Sequence, residues 1–66
     1  MKLTVNGETY HHEGDGTIEA LLEEMGSRPE RTAIMINGDV VPRERWDQAQ
    51  LEEGDTVELL VFAGGG

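Results

Sequence analysis

The hydrophobic period of this chain changes twice, and that change limits the folds open to it. Met1, Leu3 and Val5 alternate with Lys2, Thr4 and Asn6, the pattern of a half-buried strand. Ile18, Leu21, Leu22 and Met25 then stand at i, i+3, i+4 and i+7, one apolar stripe of a helix. Alternation returns around Ile34, Met35 and Ile36, and again from Val57 to Phe62. A single helix with a single stripe cannot bury that stripe on itself. It needs the face of a sheet, so the sequence predicts an α+β fold, a mixed sheet of four to five strands packed on one helix.

The turn residues divide the pattern. Asn6-Gly7 and Asn37-Gly38 are two-residue hairpin signals, because both residue types tolerate positive φ. The first predicts a return strand over residues 8–13. Thr17 is the expected N-cap of the helix, with Asp15 the alternative, and Glu19 suits the positive end of the helix dipole. Gly26 can end the helix in the left-handed conformation, and Pro29 follows. Val40 and Val41 begin a short strand that Pro42 stops. The next stretch reads as irregular, with one helical turn over 44–47 and a turn at Gly54-Asp55, before a last strand over 56–62. The expected core is Leu3, Val5, Ile18, Leu21, Leu22, Ile34, Ile36, Val57 and Leu59, with Trp46 lying over one end of the sheet.

A chain of 66 residues makes one domain, placed here at 1–63 with a flexible glycine tail at 64–66. A chain of this size buries only about 60% of its unfolded surface, so its core is small. It has no cysteine, hence no disulfide and no thiolate chemistry, which suits a cytoplasmic setting. No apolar run is long enough to span a membrane, and no signal-peptide pattern opens the chain. Fourteen acidic residues against five basic ones give a net charge of -9. Such a surface repels nucleic acid, whose affinity comes from phosphate neutralisation. It fits either a basic protein partner or simple solubility, and a monomer is expected.

Few residues offer chemistry. His11 and His12 are adjacent, so on a strand they point to opposite faces and read as surface histidines rather than metal ligands. Glu23, Glu24, Glu52, Glu53 and Asp55 read as a solvated surface. The Gly14-Asp15-Gly16 stretch precedes a helix, but no phosphate-loop lysine follows, so it reads as a bend. Arg43 and Arg45 suit an acidic partner or a phosphate, or else nearby carboxylates. If Val57, Leu59 and Val61 face the helix, then Leu60 and Phe62 face outward, and Met35 joins them from the neighbouring strand. Met35, Leu60 and Phe62 are therefore the expected docking patch on the open sheet face. The chain stops at "FAGGG", where Gly64, Gly65 and Gly66 have no side chain to pack or react. Either that end is idle or its carboxylate is the working group.

The order of elements resembles the β-grasp, or ubiquitin-like, fold. In detail the chain resembles the ThiS family, the sulfur carriers of thiamine biosynthesis. The resemblance lies in "VNG", "TIEALLEEM", "INGDVVPRERW" and "GDTVELLVFAGGG", and it covers essentially the whole chain. The sister MoaD family carries a proline-rich stretch before its Gly-Gly, and "VFAGGG" has none. The resemblance implies a carrier, not an enzyme. It implies that a ThiF-like partner of the ubiquitin-activating type adenylates the Gly66 carboxylate with ATP and magnesium. Sulfur, relayed from a cysteine desulfurase, then gives a thiocarboxylate that a ThiG-like thiazole synthase consumes. The carrier itself is expected to bind no cofactor. Other acceptors (molybdopterin, a tRNA base, a cysteine precursor) and a ubiquitin-like module never activated at its end remain the alternatives.

Overall fold

The computed structural model describes residues 1–63, and the tail expected over 64–66 lies outside the described residues. The first hairpin is β1 (Lys2–Val5) and β2 (Glu8–His11). Helix α1 (Ile18–Met25) follows, then a 3-10 turn at Pro29–Arg31. The second hairpin is β3 (Thr32–Ile36) and β4 (Asp39–Val40). A 3-10 segment, Arg43–Gln48, leads to β5 (Thr56–Val61). The strands form one sheet in the order β2-β1-β5-β3-β4. The last strand thus enters the middle, parallel to β1 and antiparallel to β3.

Each boundary has a local cause. The Thr17 hydroxyl oxygen accepts from the Ala20 N–H at 3.1 Å, and the hydroxyl donates to Asp15 at 2.8 Å. Thr17 is therefore the cap and Asp15 its support. That bond, with a second from the Thr17 N–H, holds the Asp15 carboxyl below its ordinary range. Gly26 closes the helix at φ 73°.

The two Asn-Gly turns do more than reverse the chain. Asn6 and Asn37 take φ of 51° and 52°, which asparagine tolerates better than other side-chain-bearing residues. Their amides then reach the central strand from opposite sides. Asn6 Oδ1 accepts from the Leu59 N–H at 2.8 Å, and Asn37 Oδ1 accepts from the Thr56 N–H at 2.9 Å. Both bonds supply strand amides that a neighbouring backbone no longer pairs.

The core lies between α1 and one sheet face. Leu3, Val5, Ile18, Leu21, Leu22, Ile34 and Val57 are buried as expected, and so is Trp46, whose indole N–H donates to the Val41 carbonyl at 2.9 Å. Ile36 and Leu59 are only half-buried against the rim of this cluster. Leu51, absent from the expected core, is 1% exposed. Its N–H donates to the Gly16 carbonyl at 2.8 Å, which draws an otherwise irregular segment over the core.

Candidate functional site

His12 corrects the expectation of a surface histidine. β2 ends at His11, but the His12 backbone is still paired to Met1 and keeps the inward parity of Tyr10, so its side chain is buried while His11 stays exposed. Nε2 accepts from the Gly16 N–H at 2.9 Å, which leaves the proton on Nδ1, and Nδ1 lies 2.8 Å from Glu24 Oε1. The same oxygen accepts from the Tyr10 hydroxyl at 2.8 Å, and Glu24 Oε2 accepts from the Glu13 N–H at 3.0 Å. Gly14 sits against this ring, where a Cβ would come within 2.8 Å of His12 Cε1. Glu24 is thus no idle surface carboxylate. It is a brace between α1 and the β2 end, and among the described residues no buried side-chain polar atom lacks a partner.

Desolvation alone would raise the Glu24 carboxyl, but the bonds from His12, Tyr10 and Glu13 outweigh it and hold the group below its ordinary range. The Glu24 bond in turn raises the Tyr10 hydroxyl. A lowered carboxyl contributes stability that is present in full above the unfolded value, about 4.3, and lost as pH falls through the folded one. Urea unfolding should therefore find Glu24→Gln weaker than wild type at pH 7. That gap should narrow as the medium is acidified past the glutamate range. A gap independent of pH would show that the brace does not depend on charge.

Arg43 stacks over the Trp46 ring at 5.6 Å from its centroid. Among the described residues no carboxylate lies within ion-pair distance of Arg43 or Arg45. Glu53 and Asp55 serve the backbone instead. Glu53 accepts from the Lys2 N–H and Asp55 from the Glu52 N–H, each at 2.9 Å.

The open sheet face carries the apolar exposure. Direct pairing sets Met35 beside both Glu58 and Val40, and Ala33 beside Leu60. Met35, Val40 and Leu60 share a shallow groove of about 350 Å³ with Ala33, Leu59 and Asn6. Leu60 is 62% exposed and Val40 66%. Phe62, 53% exposed, does not line the groove. It stands two residues beyond Leu60, just past the end of β5, and its N–H donates to the Arg31 carbonyl at 2.8 Å. Val40 extends the expected patch. Sequence pattern gave no signal for it, since its exposure depends on how the two-residue β4 sits at the sheet edge.

Val61 has the helix-facing parity of Val57 and Leu59 but is not buried. It pairs with Thr32 at the last register position of β5 and is 55% exposed, although Thr32 itself is buried. β5 therefore leaves the sheet with apolar side chains exposed on both faces, directly before Ala63 and the three glycines. Among the described residues no helix is long and apolar enough to cross a membrane.

One helix laid across a sheet whose first and last strands run parallel at its centre, each outer strand joined by a hairpin, defines the β-grasp, or ubiquitin-like, class. The last strand, leading through exposed apolar residues into glycines, narrows the class further. This chain belongs to the ThiS family, whose sequence profile matches residues 3–66.

Its similarity to individual proteins agrees. The sulfur carrier protein ThiS of Escherichia coli is 35% identical over 66 residues, covering 98% of this chain and all of that one. A thiazole synthase of Paramagnetospirillum magneticum is 38% identical over 66 residues, and one of Magnetococcus marinus is 39% identical. The chain spans only 20% of the length of each of these two synthases. The crystal structure of the thiamine biosynthesis protein ThiS from Geobacter metallireducens superimposes with a TM-score of 0.81 at 36% identity, over the whole of both chains.

Proposed function

We propose that this chain is a sulfur carrier of thiamine biosynthesis and that its reacting group is the Gly66 carboxylate. The observation that carries the reading is the course of β5 in a chain of this family. A strand held at the centre of the sheet emerges with exposed apolar side chains and runs straight into glycines.

A carboxylate is a poor electrophile, and at neutral pH it is ionised, with a reference pKa of about 3.5. A ThiF-like enzyme of the ubiquitin-activating type overcomes this with ATP and magnesium. The Gly66 carboxylate attacks the α-phosphorus of ATP, pyrophosphate leaves, and an acyl-adenylate forms. Sulfur passed on from a cysteine desulfurase as a persulfide, and released from it as sulfide by a thiol reductant that is oxidised to a disulfide, then attacks the carbonyl carbon. AMP leaves, a proton is released, and a C-terminal thiocarboxylate remains. A ThiG-like thiazole synthase takes the sulfur, a role suggested by the two thiazole synthases that contain a stretch similar to this chain. Beyond that carboxylate the carrier contributes no acid, base or nucleophile. It contributes a narrow end, because glycines can thread a channel that excludes water and the competing hydrolysis.

In this reading the patch of Met35, Leu60 and Phe62, widened by Val40, docks on the adenylating enzyme. Phe62→Ala should weaken that complex by about 1 kcal/mol or more, as truncation of an aromatic anchor does, and leave the fold intact. Titration calorimetry reads the affinity. An unchanged value would remove Phe62 from the interface.

A further inference from the structure

β5 has one open edge, and it opens just before the tail. Along this strand the backbone groups of even-numbered residues turn toward β3. The Thr56 carbonyl accepts from the Asn37 N–H at 2.7 Å, and the Phe62 N–H donates to the Arg31 carbonyl at 2.8 Å. Those of odd-numbered residues turn toward β1. The Asp55 and Val57 carbonyls accept from the Thr4 and Asn6 N–H groups, each at 2.9 Å. But β1 pairs with β5 only as far as Val57 and then leaves in the Asn6-Gly7 turn. The Asn6 amide meets the Leu59 N–H. Beyond it, the Leu59 carbonyl and both backbone groups of Val61 face no strand among the described residues.

Proteins ordinarily cover or blunt such an edge, since it invites pairing. This one is left open and is flanked on both faces by exposed apolar side chains. Leu60 and Phe62 lie on one side and Val61 on the other. We propose that an extended segment of the adenylating partner adds to this edge as a further strand, bonding to the Leu59 carbonyl and to the Val61 N–H and carbonyl. The inference rests on the carrier reading above and deepens it.

Two features select this occupant. A glycine tail offers a partner only its main chain, and strand addition is main-chain recognition. A second copy of this chain is the competing occupant. With a net charge of -9 on each copy, self-association is opposed where a less acidic partner is drawn in.

The test separates backbone from side chain at one position. Val61→Pro removes an N–H that pairs with nothing in the described fold, on the side of an edge where proline is tolerated. Val61→Ala shortens the side chain and keeps the N–H. Affinity for the ThiF-like enzyme encoded in the same genome is measured for both. Val61→Pro should bind about tenfold more weakly than Val61→Ala, the worth of one well-desolvated hydrogen bond. In wild-type protein, hydrogen exchange at the Val61 amide should slow at least about tenfold in the complex. Equal affinities, or unchanged exchange at Val61, would overturn strand addition. If the proline variant fails to fold, the exchange measurement on wild type decides alone. A wild-type dimer, abolished by Val61→Pro, would give the edge to a second copy instead. Should wild type bind the enzyme yet gain no sulfur, the carrier reading fails, while the affinity comparison still decides what covers the edge.

Discussion

Deletion of Gly66 should leave the fold intact and abolish conversion of the chain to a thiocarboxylate. The first half follows from where the core lies. Among the described residues every buried apolar side chain is at or before Val57, nine positions ahead of the deleted one, and glycine has no side chain to give the core. The second half follows from reach. Without Gly66 the carboxylate stops one residue, up to about 3.5 Å, short of the α-phosphorus it must attack. Displacements well below that already cost orders of magnitude in rate when reacting atoms must meet in line. Gly65→Val should fail as well, because a β-branched side chain restricts the backbone and widens a segment that must thread a channel. Each variant is incubated with the adenylating enzyme, ATP, magnesium and a sulfur donor, and the intact protein is weighed. Wild type should exchange one oxygen for sulfur, and neither variant should. Conversion of the shortened chain at the wild-type rate would mean that the terminal carboxylate is not the reacting group.

What could be read from the sequence was what local chemistry decides. The α1 stripe, the Thr17 cap, the Gly26 stop and both Asn-Gly turns are set by neighbours within a few residues, and each stands where the pattern put it. What escaped reading depends on partners distant in the chain. Leu51 has no periodic companions, and its burial follows from a hydrogen bond to Gly16. His12 has the inward parity of Tyr10, but its burial is tolerated because Glu24 accepts from Nδ1 and the Gly16 N–H donates to Nε2, partners that the local pattern does not name. Val61 has the parity of Val57 and Leu59, but it stands at the end of β5 and is 55% exposed. The same holds at the candidate site. Parity put Met35 and Leu60 on one face, and they do line one groove. The open edge of β5 could not be read, because it depends on where β1 stops relative to a strand 50 residues later.

Leu21→Ala should remove a large share of the stability of this chain. Leu21 is 0% exposed and lies on the face of α1 turned to the sheet, among Ile18, Leu22 and the buried strand residues. Truncating a buried leucine costs about 2–5 kcal/mol, the transfer energy of the lost methyl groups plus that of a cavity the neighbours cannot fill. A domain of this length has only roughly 3–10 kcal/mol in all. The variant should thus be marginal, unfolding at much lower urea with little change in the slope of the transition. Met25 provides the control. It belongs to the same stripe in sequence but is 38% exposed at the helix end, so Met25→Ala should cost well under half as much. The pair therefore tests where along α1 the helix meets the sheet. A Leu21→Ala loss below about 1 kcal/mol, or one matched by Met25→Ala, would mean that the helix packs on the sheet through a different face.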